Sequence, residues 1–270
     1  PAIDRDRIVF QDSRHGTPDI YMYNASTSTE TRITTSTSWE LRPDIQGDVI
    51  VWYDYRNGNR NTDIYMYDLS KSRETRITTA GGHQRYPVVY GNVIAWTDER
   101  NGNKDIYMYD LSTGNETRIT TNSSDQEHPA IHGDRIVWHD MRNGNADIYM
   151  YNISSGTMTQ VTTNMSAQRY PDIHGDTIVW EDERHGSRDI YHYDLGTGNE
   201  TRATTSRFFQ ERPAVDGKRF AWQDARNPAS KSDIWMGVLR PDRDGDGTDD
   251  DNDMFPDDPA AANDTDGDGS

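Results

Sequence analysis

The sequence predicts an all-β fold, a six-bladed β-propeller with four-stranded antiparallel blades, on three observations. Asp-Ile-Tyr occurs at Asp19, Asp63, Asp105, Asp147 and Asp189 and returns as Asp233-Ile234-Trp235, at steps of 44, 42, 42, 42 and 44 residues. A period in the low forties with several short β-rich segments is how small sheets that need neighbours to bury their faces show in sequence. Each copy also alternates apolar and polar residues with period two, as strands do. Finally, one aromatic residue, Phe10, Trp52, Trp96, Trp138, Trp180 or Trp222, stands at the same place in every copy.

The fourth copy shows the elements in order. Pro129-Ala130-Ile131-His132 reads as a short apolar strand, Gly133-Asp134 as a tight turn, and Arg135-Ile136-Val137-Trp138 as a second strand. A polar loop from Asp140 to Asn145 leads into the alternating strand Asp147-Ile148-Tyr149-Met150-Tyr151. The turn Ser154-Ser155-Gly156 precedes a last strand around Thr159-Gln160-Val161-Thr162. Ile3, Ile45, Val89, Ile131, Ile173 and Val215, with the six aromatics, are the expected core between blades. Asp-x-Arg recurs in all six copies, from Asp12/Arg14 to Asp224/Arg226. A catalytic pair is not needed six times, so these are expected as hairpin and interblade groups, the arginine fork holding backbone or carboxylate.

Only 32% of the residues are hydrophobic, which in an aperiodic chain suggests disorder, but the aromatics fall at periodic strand positions and argue for folding. Residues 1–240 are therefore read as one propeller domain and 241–270 as a separate segment. No apolar run is long enough to span a membrane, and because the chain opens directly on repeat sequence at Pro1, no leader is expected. Of the net charge of −18, −11 belongs to residues 241–270, so the repeats hold only −7, and neither part has the basic patch of a nucleic-acid binder. There is no cysteine, which excludes disulfides and thiolate metal sites. Asn-x-Ser/Thr acceptors at Asn24, Asn115, Asn122, Asn152, Asn164, Asn199 and Asn263 lie in expected turns, strand ends or the tail, and point to a glycosylated, extracellular surface.

The acidic tail follows the spacing of a calcium loop. Asp242, Asp244 and Asp246 stand at positions 1, 3 and 5, Gly247 at 6, the Thr248 carbonyl at 7, Asp250 at 9 and Asp253 at 12. Calcium takes six to eight oxygens, and carboxylates packed this closely repel one another without a cation. A second motif begins at Asp264, Asp266 and Asp268 and stops at Ser270. With Phe255-Pro256-Asp257-Asp258-Pro259 between them, these 30 residues resemble a thrombospondin type 3 segment without cysteines, which implies a calcium-stiffened spacer.

Strands such as Asp105-Ile106-Tyr107-Met108-Tyr109-Asp110-Leu111 followed by Glu116-Thr117-Arg118-Ile119-Thr120 resemble TolB-type propeller repeats over about 240 residues. The combination with aspartate-rich calcium segments and glycosylation sites is similar to cell-surface and surface-layer proteins of methanogenic archaea. That resemblance implies fold more than activity. It suggests a non-catalytic cell-surface module for adhesion, recognition or surface-layer assembly, with a surface protein or glycan as partner. The second reading is a metal-dependent polysaccharide lyase or hydrolase at the channel mouth, because some TolB-type propellers are lyases with His and Gln ligands.

A site is expected on the face carrying the loops between second and third strands and those entering the next blade. Before the blade-opening prolines the chain reads Trp39-Glu40-Leu41-Arg42, His83-Gln84-Arg85-Tyr86, Asp125-Gln126-Glu127-His128, Ala167-Gln168-Arg169-Tyr170 and Phe209-Gln210-Glu211-Arg212. A ring of Gln and Glu there suits a polar ligand, or else satisfies loop backbone in each blade. His132 and His174 share one repeat position with Asp4 and Asp216, a conceivable metal site. No Gly-x-Ser-x-Gly, His-Glu-x-x-His or phosphate loop is present. The sixth copy lacks its fourth strand, so three strands are expected there, in a fragment of a longer protein whose open edge takes a strand from upstream residues or a neighbouring molecule.

Overall fold

The computed structural model describes residues 1–58, 60–227 and 232–239. They fall into two compact units, residues 1–144 with 150–159, and residues 145–149 with those from 160 onward. In the first unit, blade 1 is β1 (Ala2–Asp4), β2 (Arg7–Asp12), β3 (Asp19–Asn24) and β4 (Thr29–Arg32). Blade 2 is β5 (Glu40–Gln46), β6 (Val49–Asp54), β7 (Asp63–Asp68) and β8 (Arg73–Arg76). Blade 3 is β9 (Gln84–Tyr90), β10 (Val93–Asp98), β11 (Asp105–Asp110) and β12 (Asn115–Arg118). Blade 4, of which both units hold residues, is β13 (Gln126–His132), β14 (Arg135–Asp140), β15 (Asp147–Asn152) and β16 (Thr157–Gln160). In the second unit, blade 5 is β17 (Gln168–His174), β18 (Thr177–Asp182), β19 (Asp189–Asp194) and β20 (Glu200–Arg202), and blade 6 is β21 (Gln210–Asp216), β22 (Arg219–Asp224) and β23 (Asp233–Val238).

Every blade is an antiparallel meander in chain order, five of four strands and the sixth of three among the described residues. The fold class expected from the repeat is therefore the observed one. The first strands of blades 2 to 6 differ from expectation in one respect: each begins three residues before the proline that the sequence suggests as its start. A bulge hides this. The register of β9 on β10 shifts between Ala95 and Thr97, so Tyr86 and Pro87 together face Trp96, and the proline sits where no ladder hydrogen bond is asked of it.

The core lies between consecutive blades. Val9 and Ile20 of blade 1 pack with Ile45, Ile50, Trp52 and Tyr65 of blade 2, and Val51, Tyr53 and Ile64 of blade 2 with Val89, Ile94, Trp96 and Tyr107 of blade 3. In the second unit Val179 and Ile190 meet Val215, Phe220 and Trp222. Trp52, Trp96, Trp138 and Trp180 are fully buried, as expected of aromatics at the repeat position. Ile3 departs from the expectation: it is 66% exposed, whereas Ile45 and Val89, which each have a preceding blade within the unit, are at 4%. First strands are also stitched by side chains, the Gly47 N–H donating to Asp4 (3.0 Å), the Val89 N–H to Asp44 (2.8 Å) and the Val215 N–H to Asp172 (2.7 Å).

Candidate functional site

Most of the recurring polar chemistry is used up in holding each blade together. Asp98 is fully buried, and its carboxylate accepts from the Trp96 indole (2.9 Å), the Arg100 backbone N–H (2.9 Å) and both Nε and Nη2 of the Arg100 guanidinium. The remaining arm of Arg100 reaches Glu116 on β12, and its guanidinium lies 4.4 Å over the Tyr107 ring, which itself stacks on Trp96. The same arrangement is built around Asp54/Arg56 and Asp182/Arg184. Structural use of Asp-x-Arg was the expectation, but the fork ties strands of one blade rather than neighbouring blades. The reason is the register: Asp98 ends β10, so the arginine two residues on reaches only its own sheet.

The Gln and Glu residues before the prolines are not a ligand ring either. Glu40, Gln84, Gln126, Gln168 and Gln210 are all fully buried first residues of their strands. Gln168 Oε1 accepts from the Thr162 hydroxyl (3.1 Å), which itself accepts the Ile148 N–H (2.8 Å), and the Gln168 amide donates to the Ser166 carbonyl. Thr78 and Gln84, and Thr204 and Gln210, repeat the relay. These side chains link the exit of one blade to the entry of the next, the structural of the two alternatives open in the sequence.

What remains unabsorbed in the first unit is the residue just before each proline. Arg42, Tyr86 and His128 have positive φ (53°, 56° and 57°), a conformation costing about 1–2 kcal/mol in a residue with a Cβ. The bulge turns them out of the ladder, and a side chain of the preceding blade takes the freed N–H: Gln11 accepts from Arg42 (3.0 Å) and Thr97 from His128 (3.1 Å). Their side chains form a run. The Arg42 guanidinium lies 5.9 Å from the Tyr86 ring, Tyr86 is 4.2 Å from His128, and His128 is 5.3 Å from His139. Tyr53 meets Tyr86 edge-on at 6.0 Å and Tyr55 at 6.1 Å, and Trp39, 56% exposed, meets Tyr55 at 6.3 Å. Arg85 Nη2 donates to the Tyr55 hydroxyl (3.4 Å).

The charges around this run are set by burial and pairing. Burial pushes the Tyr53 hydroxyl up to about 12, so it stays neutral. Glu127 resists burial because His139 and Lys104 hold it down at about 2, and it is an anion paired with Lys104 Nζ at 2.9 Å. His83 is pushed down by burial and by Arg85. The surface thus offers aromatic faces and the Arg42 and Arg85 guanidiniums, suited to stacking and to hydrogen-bonding a polar ligand. Trp39, Arg42, Arg85 and Tyr86 were within the segments singled out in the sequence; Tyr53 and Tyr55 were not. They replace Gln11 and Ser13 of blade 1 and Thr97 and Glu99 of blade 3, a blade-to-blade variation beside a constant aromatic-x-Asp that marks them.

The second unit has a different set. Arg212 (φ 52°) gives its N–H to Glu181 (2.6 Å) and lies 4.8 Å over Tyr170, while Arg188 pairs with Glu183 and Glu211. Burial raises Glu181 to about 7. His174 Nδ1 is 3.1 Å from Asp216, and in the first unit the His132 ring is 4.6 Å from Tyr90. No three His, Asp or Glu side chains come together as metal ligands among the described residues. Of the glycosylation acceptors, Asn115 is exposed, while the amide oxygens of Asn24, Asn122, Asn152 and Asn164 accept from residues two or three further on in tight turns. Asn199 is half-buried. Asn263 and the expected calcium ligands Asp242, Asp244, Asp246, Thr248, Asp250, Asp253, Asp264, Asp266 and Asp268 lie outside the described residues. No helix of the described residues is long and apolar enough to cross a membrane.

No protein-family model matches the chain, and no curated protein matches it in sequence. Solved structures do match in fold. TolB from Acinetobacter baumannii superposes with a TM-score of 0.62 at 20% identity, over 86% of this chain and 63% of TolB, so the chain spans less than two thirds of that relative. An acylaminoacyl peptidase from Pyrococcus horikoshii matches with a TM-score of 0.66 at 13% identity, over 86% of this chain and 42% of the peptidase. An oligogalacturonate lyase in complex with manganese matches with 0.59 at 15%, over 86% and 71%. The fold is a TolB-like six-bladed β-propeller.

Proposed function

We propose that this chain is a non-catalytic recognition module that binds a polar glycan or peptide of a cell surface at Trp39, Arg42, Tyr55, Arg85 and Tyr86. One observation carries the reading: Trp39 stays 56% exposed against Tyr55, where an indole of this size gains nothing from water. Around it the repeated charged pairs are already satisfied, whereas this aromatic and arginine run departs from the repeat. The setting is extracellular, supported by the seven acceptor triplets and by an Asp-rich segment spaced for calcium, which serves as a stiff spacer. A TolB-like propeller suits such a role as an interaction module, although the same architecture serves enzymes.

Immobilised glycans and peptides, screened together with purified surface polymers, test the proposal. Saturable binding with no change in the bound polymer is expected, weakened at least tenfold by Tyr55→Ala. Steady depolymerisation of a polysaccharide, abolished by His132→Ala or His174→Ala, would establish the lyase or hydrolase reading instead.

A further inference from the structure

Arg56 and Arg100 of the first unit are each shared between carboxylates of their own blade, Asp54 and Glu74 for one and Asp98 and Glu116 for the other, and Lys104 is paired with Glu127. Arg42 and Arg85 are not neutralised in this way. Arg42 is exposed and has no ion pair among the described residues, and Arg85 meets only Glu99, at 3.9 Å. The two guanidiniums lie around one point, because the hydroxyl of Tyr53, kept protonated chiefly by burial, feels both charges. A chain of net charge −18 thus keeps an uncompensated positive spot on the patch that carries Trp39.

The indole beside them is held in place. The Trp39 carbonyl accepts the Tyr55 N–H (3.1 Å), and the next residue, Glu40, donates its N–H to Pro18 of blade 1 (3.0 Å), so the loop is pinned on both sides. The ring planes of Trp39 and Tyr55 cross at 71°, an edge contact that leaves an indole face to solvent. Arg85 Nη2 sits on the hydroxyl of the same tyrosine (3.4 Å). One tyrosine therefore separates an open aromatic face from a guanidinium. A pyranose ring fits that pair: it has a flat face of C–H groups for the indole and, when C6 is a carboxylate, a planar anion at its rim for the guanidinium fork. An acidic peptide satisfies the arginines equally but has no flat apolar face for the indole.

Resting on the recognition role of this patch, we propose that its ligand is a glycan of uronic-acid sugars, with one pyranose stacked on Trp39 and its carboxylate, and that of the next sugar, held by Arg85 and Arg42. Tyr55 and Tyr86 flank the bound chain, and Tyr53 stays buried between them as the wedge on which the two arginines converge. Binding of this kind weakens as salt rises, because both charges are at the surface. A sulfate ester brings the same charge without the planar two-oxygen edge that matches a guanidinium, so the carboxylate is the favoured anion.

The test is calorimetric titration of the chain with β-1,4-linked tetraglucuronate and with cellotetraose, which differ only in carrying a carboxylate or a hydroxymethyl group at C5. The glucuronate is expected to bind roughly tenfold tighter or more in low salt. Arg42→Gln should remove that advantage while leaving the affinity for cellotetraose unchanged, a pattern that misfolding cannot mimic. Arg207→Gln, which removes an exposed arginine of the second unit, should alter neither. Glucuronate binding no tighter than that of cellotetraose overturns the proposal, as does an advantage kept by both Arg42→Gln and Arg85→Gln. Equal or tighter binding of tetraglutamate or of sulfated cellotetraose also overturns it. If the glucuronate has no advantage but another ligand is lost on Trp39→Ala, recognition at this patch stands and only the acidic sugar is wrong; glucuronate binding untouched by Trp39→Ala refutes both.

Discussion

Glu40→Gln is expected to stabilise this protein, by a margin that grows as pH rises above about 4.5 and is complete above about 7. Glu40 occupies the place where four other blades have a buried glutamine, with Thr34 donating to Oε2. Glutamine can accept from the threonine and still donate to the carbonyl two residues back, as Gln84 does to Gly82 (3.2 Å). A carboxylate cannot donate, and its charge is fully buried beside Asp54, with Arg56 3.3 Å away as partial compensation. Burial accordingly raises Glu40 from 4.5 to about 7. The folded state thus binds its proton more tightly than the unfolded state. Nothing is lost below the unfolded value; stability falls as pH rises from there through the folded value, and the full cost applies above it. A shift of that size corresponds to about 3 kcal/mol, at 1.36 kcal/mol for each unit. Urea denaturation of wild type and variant across pH 4.5 to 8.5 reads the difference. Asp172 and Glu181, raised by burial to about 6 and about 7, pull both proteins the same way and cancel in that difference. The variant should match wild type at the acid end and exceed it by about 3 kcal/mol at the alkaline end. A gain that does not change with pH, or no gain at all, would refute the reasoning.

Three further outcomes follow from the packing and the tail. Trp96→Ala, in a fully buried layer between blades 2 and 3, should cost about 3–5 kcal/mol in chemical denaturation. Asp98→Ala removes the fully buried partner of Arg100 and should cost about 3 kcal/mol or more, whereas Glu116→Ala, at the partly exposed end of the same fork, should cost about 1 kcal/mol or less. Titration calorimetry should detect calcium binding that Asp244→Ala weakens, while chelation leaves the propeller's circular dichroism and melting unchanged; unfolding on chelation would place calcium in the repeats instead.

The blade count, the meander order and the interblade layers were legible because a repeat of 42 to 44 residues places an aromatic residue and the same alternating strands in each of six copies. Less legible was the start of each first strand. Proline at 43, 87, 129, 171 and 213 reads as a boundary in sequence, yet a bulge lets the ladder run past it. That error turned fully buried glutamines into apparent loop residues, since only the register shows Gln84 paired with Asp98. Tyr55 escaped for the opposite reason: beside a strand rich in tyrosine it looks like core, and only the bulge brings Tyr86 against its buried neighbour Tyr53.

The most direct test of recognition at blades 1 to 3 compares Trp39→Ala with Phe209→Ala, which occupies the same repeat position in the second unit and is 51% exposed. Calorimetry with whichever glycan or peptide the screen returns should show at least tenfold weaker binding for Trp39→Ala, about 1.4 kcal/mol, and little change for Phe209→Ala. Equal losses for the two, or none for Trp39→Ala, would contradict a ligand site at Trp39 and its neighbours.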